Sequence, residues 1–320
     1  MNTLDIRAPE FWSGAALDGE LRRVFDICNG CRRCLPLCPS FKDLMASLDR
    51  DEVDGDAERL PAADMRRVVD LCYQCKLCYN HCPYTPPHRW MIDFPRVMLR
   101  ARAVAVLRHN RVDVSLPAQR CCGMPYLDGG AVEEARRLID DNVRDLGEAV
   151  RDGREIVVPG PTCSYMMKQE WPWLATDRAA AGLVAERTRD LFEYLARLHG
   201  EGRLETRFPN RPGRIAYQIP CHLRAQNMGT KSADVLRLTG AEVTVIERCS
   251  AVDGTWGFKR EYYELSMKLA EPLFREVGAA RPDRTATDCP LANLQIVQGT
   301  GRRVQHPIQI LAEAYGLPAE

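Results

Sequence analysis

No stretch of the sequence approaches the roughly 18 to 20 apolar residues that a spanning helix needs. Its opening, MNTLDIRAPEFWSG, has no basic region followed by an apolar one, so no secretory signal is expected. Neither sign of charge is in excess: 44 Lys and Arg stand against 44 Asp and Glu, and no basic block or tail occurs. Nucleic acid is therefore not an expected partner. These absences predict a cytoplasmic chain without a transmembrane segment, free to dock peripherally at the inner face of a membrane. Length and an apolar content of 45% allow a proper core and suggest about two domains.

What the sequence does have is cysteine, 14 in 320 residues. The cytosol keeps thiols reduced, so clustered cysteines there read as metal ligands rather than staples. Eight of them fall in two matched runs, CNGCRRCLPLCP (Cys28–Pro39) and CYQCKLCYNHCP (Cys72–Pro83). The runs belong to a longer duplication. LRRVFDICNGCRRCLPLCPSF, starting at Leu21, aligns without a gap on MRRVVDLCYQCKLCYNHCPYT, starting at Met65, with nine of 21 positions identical. In each copy apolar residues at helical spacing lead into the first cysteine: Leu21, Val24 and Phe25, then Met65, Val68 and Val69. Phe41 to Arg50 also reads as helix, followed by a polar loop and a new helix start near Ala62.

C-x2-C-x2-C-x3-C-P is the spacing of bacterial ferredoxins, in which the fourth cysteine ligates the other cluster. This assigns Cys28, Cys31, Cys34 and Cys82 to one [4Fe-4S] cluster, and Cys72, Cys75, Cys78 and Cys38 to a second. Pro39 and Pro83 are expected to stop the local helix. Zinc is the rival, but structural zinc sites usually pair two C-x2-C knuckles. His81 and His88 read as cluster-flanking or surface side chains, since the cysteines already complete both sets.

From about Val97 the texture changes. Short β-runs each lead into a cysteine: VDVSLP into Cys121 and Cys122, EIVVPG into Cys163, RIAYQIP into Cys221, and EVTVIE into Cys249. Helical patterns intervene at 131–150, 179–199, 232–238 and 262–277. Alternation of this kind predicts α/β units with parallel strands, whose ligands sit beyond the carboxyl ends of the strands. A second internal repeat places Cys121 over Cys249 and Cys122 over Ser250. Cys163 and Cys289 follow at similar distances, and the helix pattern ARAVAVLRHN matches KSADVLRLTG. The counterpart of Cys221 falls near Met91, where no strand is visible, so the strand VDVSLP is expected to lack a neighbour. GTG (299–301) reads as a turn. HPIQILAEAYG reads as an amphipathic helix with Ile308, Leu311 and Tyr315 inward, and Trp171 and Trp173 as packing aromatics.

The motifs CCGMP, PCHLR, RCS…GTWGFK and DCP resemble the cysteine-rich CCG domain of heterodisulfide reductase. That domain is shared by iron–sulfur subunits of anaerobic glycerol-3-phosphate dehydrogenase, glycolate oxidase and lactate-utilisation complexes. The resemblance implies an α+β multi-domain layout: an all-α ferredoxin-like domain over 1–96, then CCG-type α/β units over 97–205 and 206–320. It implies an electron-transfer subunit between a flavoprotein dehydrogenase and a quinone or membrane-bound acceptor. In the family, full cysteine motifs bind further clusters. Here Cys249 is followed by Ser250, and Cys163 and Cys289 stand singly where the fullest form has C-x2-C. A further Fe-S cluster or zinc is therefore expected at Cys221, Cys249 and Cys289, with His222 as a candidate ligand. Cys121, Cys122 and Cys163 are expected to form a partial site. Two other functions compete: a heterodisulfide or thiol-disulfide reductase working at the second-half cysteines, and a redox-sensing iron–sulfur protein.

Overall fold

The computed structural model describes residues 13–72, 77–86, 88–99, 103–117, 119–254 and 256–317. The chain divides into two compact units, Met1–Leu116 with Leu317–Glu320, and Pro117–Gly316. Among the described residues no helix is long and apolar enough to cross a membrane.

The regular elements among the first unit's described residues are all helical, with α1 (Gly14–Cys31), α2 (Pro39–Leu48), α3 (Ala62–Asp70), α4 (Leu77–His81), α5 (Phe94–Leu99) and α6 (Ala105–His109). The Ser13 hydroxyl accepts the Ala16 N–H to cap α1, and Arg32, in the left-handed region at φ 51°, ends it. Leu17, Leu21, Val24 and Phe25 are buried along one face of α1. They join Phe41, Leu44, Met45 and Leu48 of α2, Met65, Val68 and Val69 of α3, and Phe94, Val97 and Met98 of α5 in one core. Contrary to the expectation, Pro39 stops no helix, since α1 already ends at Cys31. It is the first residue of α2, where its missing N–H costs nothing, and Cys38 stands at the cap.

The second unit carries two α/β repeats. Its intact repeat is a four-stranded parallel sheet in the order β4-β3-β5-β6, from β3 (Arg214–Gln218), β4 (Glu242–Ile246), β5 (Arg284–Thr287) and β6 (Val304–Gln305). Among the described residues the shorter repeat holds β1 (Ile156–Val158) and β2 (Thr188–Asp190), paired in parallel with Ile156 opposite Thr188. Residues 112–117, VDVSLP, form no strand, contrary to the sequence pattern. The intact sheet gives the reason: β3 bridges β4 and β5, and among the described residues the short repeat has no strand in that position. A strand without a partner gains no ladder hydrogen bonds.

The helices of this unit are α7 (Met124–Asp128), α8 (Val132–Arg151), α9 (Pro161–Tyr165), α10 (Trp171–Leu174), α11 (Arg178–Arg187), α12 (Leu191–Gly200), α13 (Cys221–Ala225), α14 (Lys231–Leu238), α15 (Tyr263–Ala279), α16 (Pro290–Thr300) and α17 (Pro307–Ala314). The single helix expected over 179–199 is broken into α11, β2 and α12. Asp190 and Glu193 form a capping box that starts α12 afresh. By order of elements, β1, β2 and α12 correspond to β5, β6 and α17, and α17 also begins with a capping box, from His306 and Gln309. Gly301, at φ 67°, is the turn that ends α16. Ile308, Leu311 and Tyr315 are buried as the pattern predicts.

Candidate iron–sulfur and thiol sites

In the first unit Cys28, Cys31, Cys34 and Cys82 line one cleft with Ile27, Phe41, Tyr84 and Ile92, enclosing about 320 Å³ of space open to solvent. Three come from the end of α1 and the turn after it. The fourth follows α4, in the other sequence run. Their thiols feel one another: burial, then Cys34, Cys82 and Cys31, push the Cys28 thiol far above its ordinary range. Burial and then Cys82 and Cys31 push Cys34 up to about 11. Four thiolates around one cleft repel each other, so a polycationic core among them is what lets all of them ionise at neutral pH. The donor set fits an iron–sulfur cluster in that respect. Among the described residues no group of three or more Cys, His, Asp or Glu side chains is arranged to hold a single metal ion. A cluster, unlike one ion, holds its ligands at separate corners.

Of the other set, Cys72 is buried, and Cys38 and Cys78 are half-buried against the same core. Cys75 lies outside the described residues. Backbone N–H groups of Phe41 and Ser40 point at the Cys38 sulfur and partly offset the burial that raises it. His81 is exposed, and His88 packs against the rings of both Tyr84 and Trp90, 5.1 Å from each.

The second unit gathers its cysteines into two trios. In the short repeat the Cys122 thiol hydrogen-bonds to Cys121 and Cys163, and those bonds, more than burial, raise it. Two residues fix this turn, Asn142, which the sequence pattern does not single out, and Trp171, read there only as a packing aromatic. Asn142 donates to the Cys121 carbonyl at 3.0 Å and accepts the Arg120 N–H. The Trp171 indole donates to the Cys122 carbonyl at 2.9 Å. Trp171 is 1% exposed, whereas Trp173 is 73% exposed and does not pack.

In the intact repeat Cys221 opens α13, Cys249 follows β4, and Cys289 caps α16. Cys221 and Cys249 share a hydrogen bond that lowers Cys249 to about 6 and raises Cys221. Both are exposed, while Cys289 is half-buried. The Ala251 N–H also points at the Cys249 sulfur, 3.3 Å away. His222 turns its Nδ1 to the Thr162 hydroxyl at 3.0 Å and stacks on Tyr165, with ring centres 4.9 Å apart. The histidine thus ties the intact repeat to α9 of the short one.

Beneath the trios runs a buried polar layer. Gln226 donates to the Ser164 hydroxyl, which donates to Asp190. Asp288 accepts from Tyr217 at 2.7 Å and from Ser232 at 3.0 Å. Ser164 follows Cys163 and Asp288 precedes Cys289, so the layer underlies a cysteine of each repeat.

Known proteins place this architecture. The model of the citrate utilization protein B Fer4-like domain matches residues 21–107. One subunit of the anaerobic glycerol-3-phosphate dehydrogenase of Escherichia coli (strain K12) is 29% identical over 233 residues, covering 71% of this chain and 58% of that protein. The chain thus spans 58% of that relative's length. Lactate utilization protein A of Geobacillus kaustophilus is 27% identical over 233 residues, 69% of this chain and 92% of that protein. The Geobacillus thermodenitrificans protein of the same name is 24% identical over the same shares. The cysteine-rich domain (CCG) model matches residues 91–168 and 215–296, together half of the chain, and the chain therefore belongs to the cysteine-rich CCG domain family.

Proposed function

We propose that this chain is the iron–sulfur electron-transfer subunit of a dehydrogenase complex. It relays electrons from a flavoprotein dehydrogenase subunit to a quinone or other membrane-bound acceptor, docking peripherally at the membrane. Bound [4Fe-4S] clusters supply one-electron chemistry over a wide range of potentials. Cys28, Cys31, Cys34 and Cys82 hold one cluster, and Cys72, Cys75, Cys78 and Cys38 the other. The observation that carries the reading is Cys82, from the second sequence run, lining the cleft of Cys28, Cys31 and Cys34. Anaerobically purified protein should contain about eight irons per chain. Cys38→Ala should damage the cluster of Cys72, Cys75 and Cys78. Spectra in which only the other cluster is disturbed would refute the crossed assignment.

A second reading rests on the Cys221–Cys249 pair. An exposed thiolate lowered to about 6 beside a protonated thiol is a competent nucleophile toward a disulfide. A thiol-disulfide reductase should turn over a heterodisulfide with an artificial reductant and no partner protein, whereas a relay subunit should not.

A further inference from the structure

The cleft of Cys28, Cys31, Cys34 and Cys82 is open to solvent, and its mouth has a distinct composition. Arg33 is the charged residue of its lining, and no acid lines it. Arg33 is exposed and, among the described residues, forms no ion pair. Its neighbours in sequence, Arg22, Arg23 and Arg32, are each tied to a carboxylate. A second such cation reaches the cleft through two rings. Tyr84 lines the cleft, and the Trp90 ring lies 4.6 Å from the Tyr84 ring. The exposed Arg89 guanidinium lies over Trp90 at 5.6 Å, and among the described residues it too forms no ion pair.

The first unit's two exposed large apolar side chains, among the described residues, flank the same lining. Leu35, 38% exposed, follows Cys34, and Met91, 46% exposed, precedes Ile92. Met91 holds a left-handed backbone at φ 47°, which is strained for a residue with a Cβ. Its N–H is fixed on the His88 carbonyl at 2.9 Å, and the Ile92 N–H on the Tyr84 carbonyl at 2.9 Å. The turn therefore presents Met91 in one place. Arginine, methionine and aromatic side chains are the types enriched where proteins meet.

We propose that this rim is the docking surface for an acidic face of the flavoprotein that donates the electrons, a proposal that rests on the relay reading above. Electron transfer needs the two redox centres close together, so a donor to this site seats at the mouth of its cleft. Carboxylates on the donor pair with Arg33 and Arg89 and steer the encounter, while Leu35 and Met91 supply the apolar contact. A lipid surface fits less well: polybasic lipid contacts gather about four to eight cations.

The test uses the anaerobically purified full chain, with an acidic flavodoxin as the probe. Oxidised flavodoxin should bind at low salt, read by biolayer interferometry. Arg33→Gln combined with Arg89→Gln should weaken that binding about tenfold. Stopped-flow reduction by the fully reduced flavodoxin should slow by a similar factor and lose most of its salt dependence. In that step the flavin gives up one electron and the cluster takes it, with no atom exchanged. The methyl viologen radical cation, which needs no docking face, controls for changes in the cluster. Leu35→Ser combined with Met91→Ser should weaken binding at high salt as well as low. If Arg33→Gln costs iron, Arg89→Gln alone carries the same test from outside the lining. Unchanged affinity in the charge variants, or equal slowing with both donors, would overturn the proposal. So would charge variants that lose phosphatidylserine vesicles but keep flavodoxin, since the rim would then face a membrane. A wild-type chain that holds iron yet takes electrons from neither donor would overturn the relay reading itself.

Discussion

Asp190 and Asp288 are 1% and 2% exposed and face each other across the repeats. Burial, and then the charge of Asp288, pushes Asp190 up to about 8. Burial raises Asp288 to about 6. In the unfolded chain both sit near 3.9, so above pH ~4 unfolding releases protons that the folded protein still holds. Stability then falls as pH rises, by about 1.4 kcal/mol per unit for each group, until that group ionises in the folded state. Between pH ~6 and ~8 only Asp190 still contributes, and its share is about 2.7 kcal/mol. Asp190→Asn removes this term. It keeps Oδ1 as the acceptor for the Phe192 N–H, so the cap of α12 survives. Urea denaturation followed by circular dichroism, anaerobically at pH 6 and pH 8, measures the difference. Thiol titration affects both proteins equally and cancels. Wild type should lose about 2.7 kcal/mol more than the variant over that window. Equal losses would show that Asp190 is already ionised at pH 6, and the reasoning fails.

Gly257→Ala would place a Cβ 2.4 Å from Ser266 Oγ and 2.9 Å from the Ala251 carbonyl, where those two groups are hydrogen-bonded to each other. The clash should cost about 1 to 3 kcal/mol, read as a lowered thermal midpoint, and an unchanged midpoint would contradict the packing. For the second-half cysteines, Cys221→Ala should remove any bound metal and Cys121→Ala should not. Equal loss of metal from both folded variants would mean one site shared by the repeats.

The cysteine runs were the most legible part of the sequence, because ligand spacing is local and needs no tertiary context. Helices with a clear apolar face, such as α8 and α17, were legible for the same reason. The break between α11 and α12 was not, since the helical period continues through Thr188–Asp190. Its signal was present as the capping box of Asp190 and Glu193. The strands RTAT and VQ are too short and too polar to announce themselves, and they form because β3 and β5 offer edges to pair with. VDVSLP shows the converse: a sound β-pattern stays unpaired when its neighbour is missing. Asn142 and Trp171 were invisible as site residues because they act through backbone carbonyls, far away in sequence.

The contacts of the two capping boxes bear on how the shortened repeat survives. His306 accepts the Ile308 N–H at Nδ1, so its Nε2 carries the proton and donates to the Pro159 carbonyl at 3.0 Å. Asp190, its counterpart, accepts from Ser164 and Phe192 within the short repeat. The intact repeat thus finishes the strand end of β1 in the short one, and α12 packs on α14 of the intact repeat. A two-stranded sheet is marginal on its own. The short repeat has traded independence for a lodger's place on its twin. A gene fragment ending before Arg214 would leave it without a host.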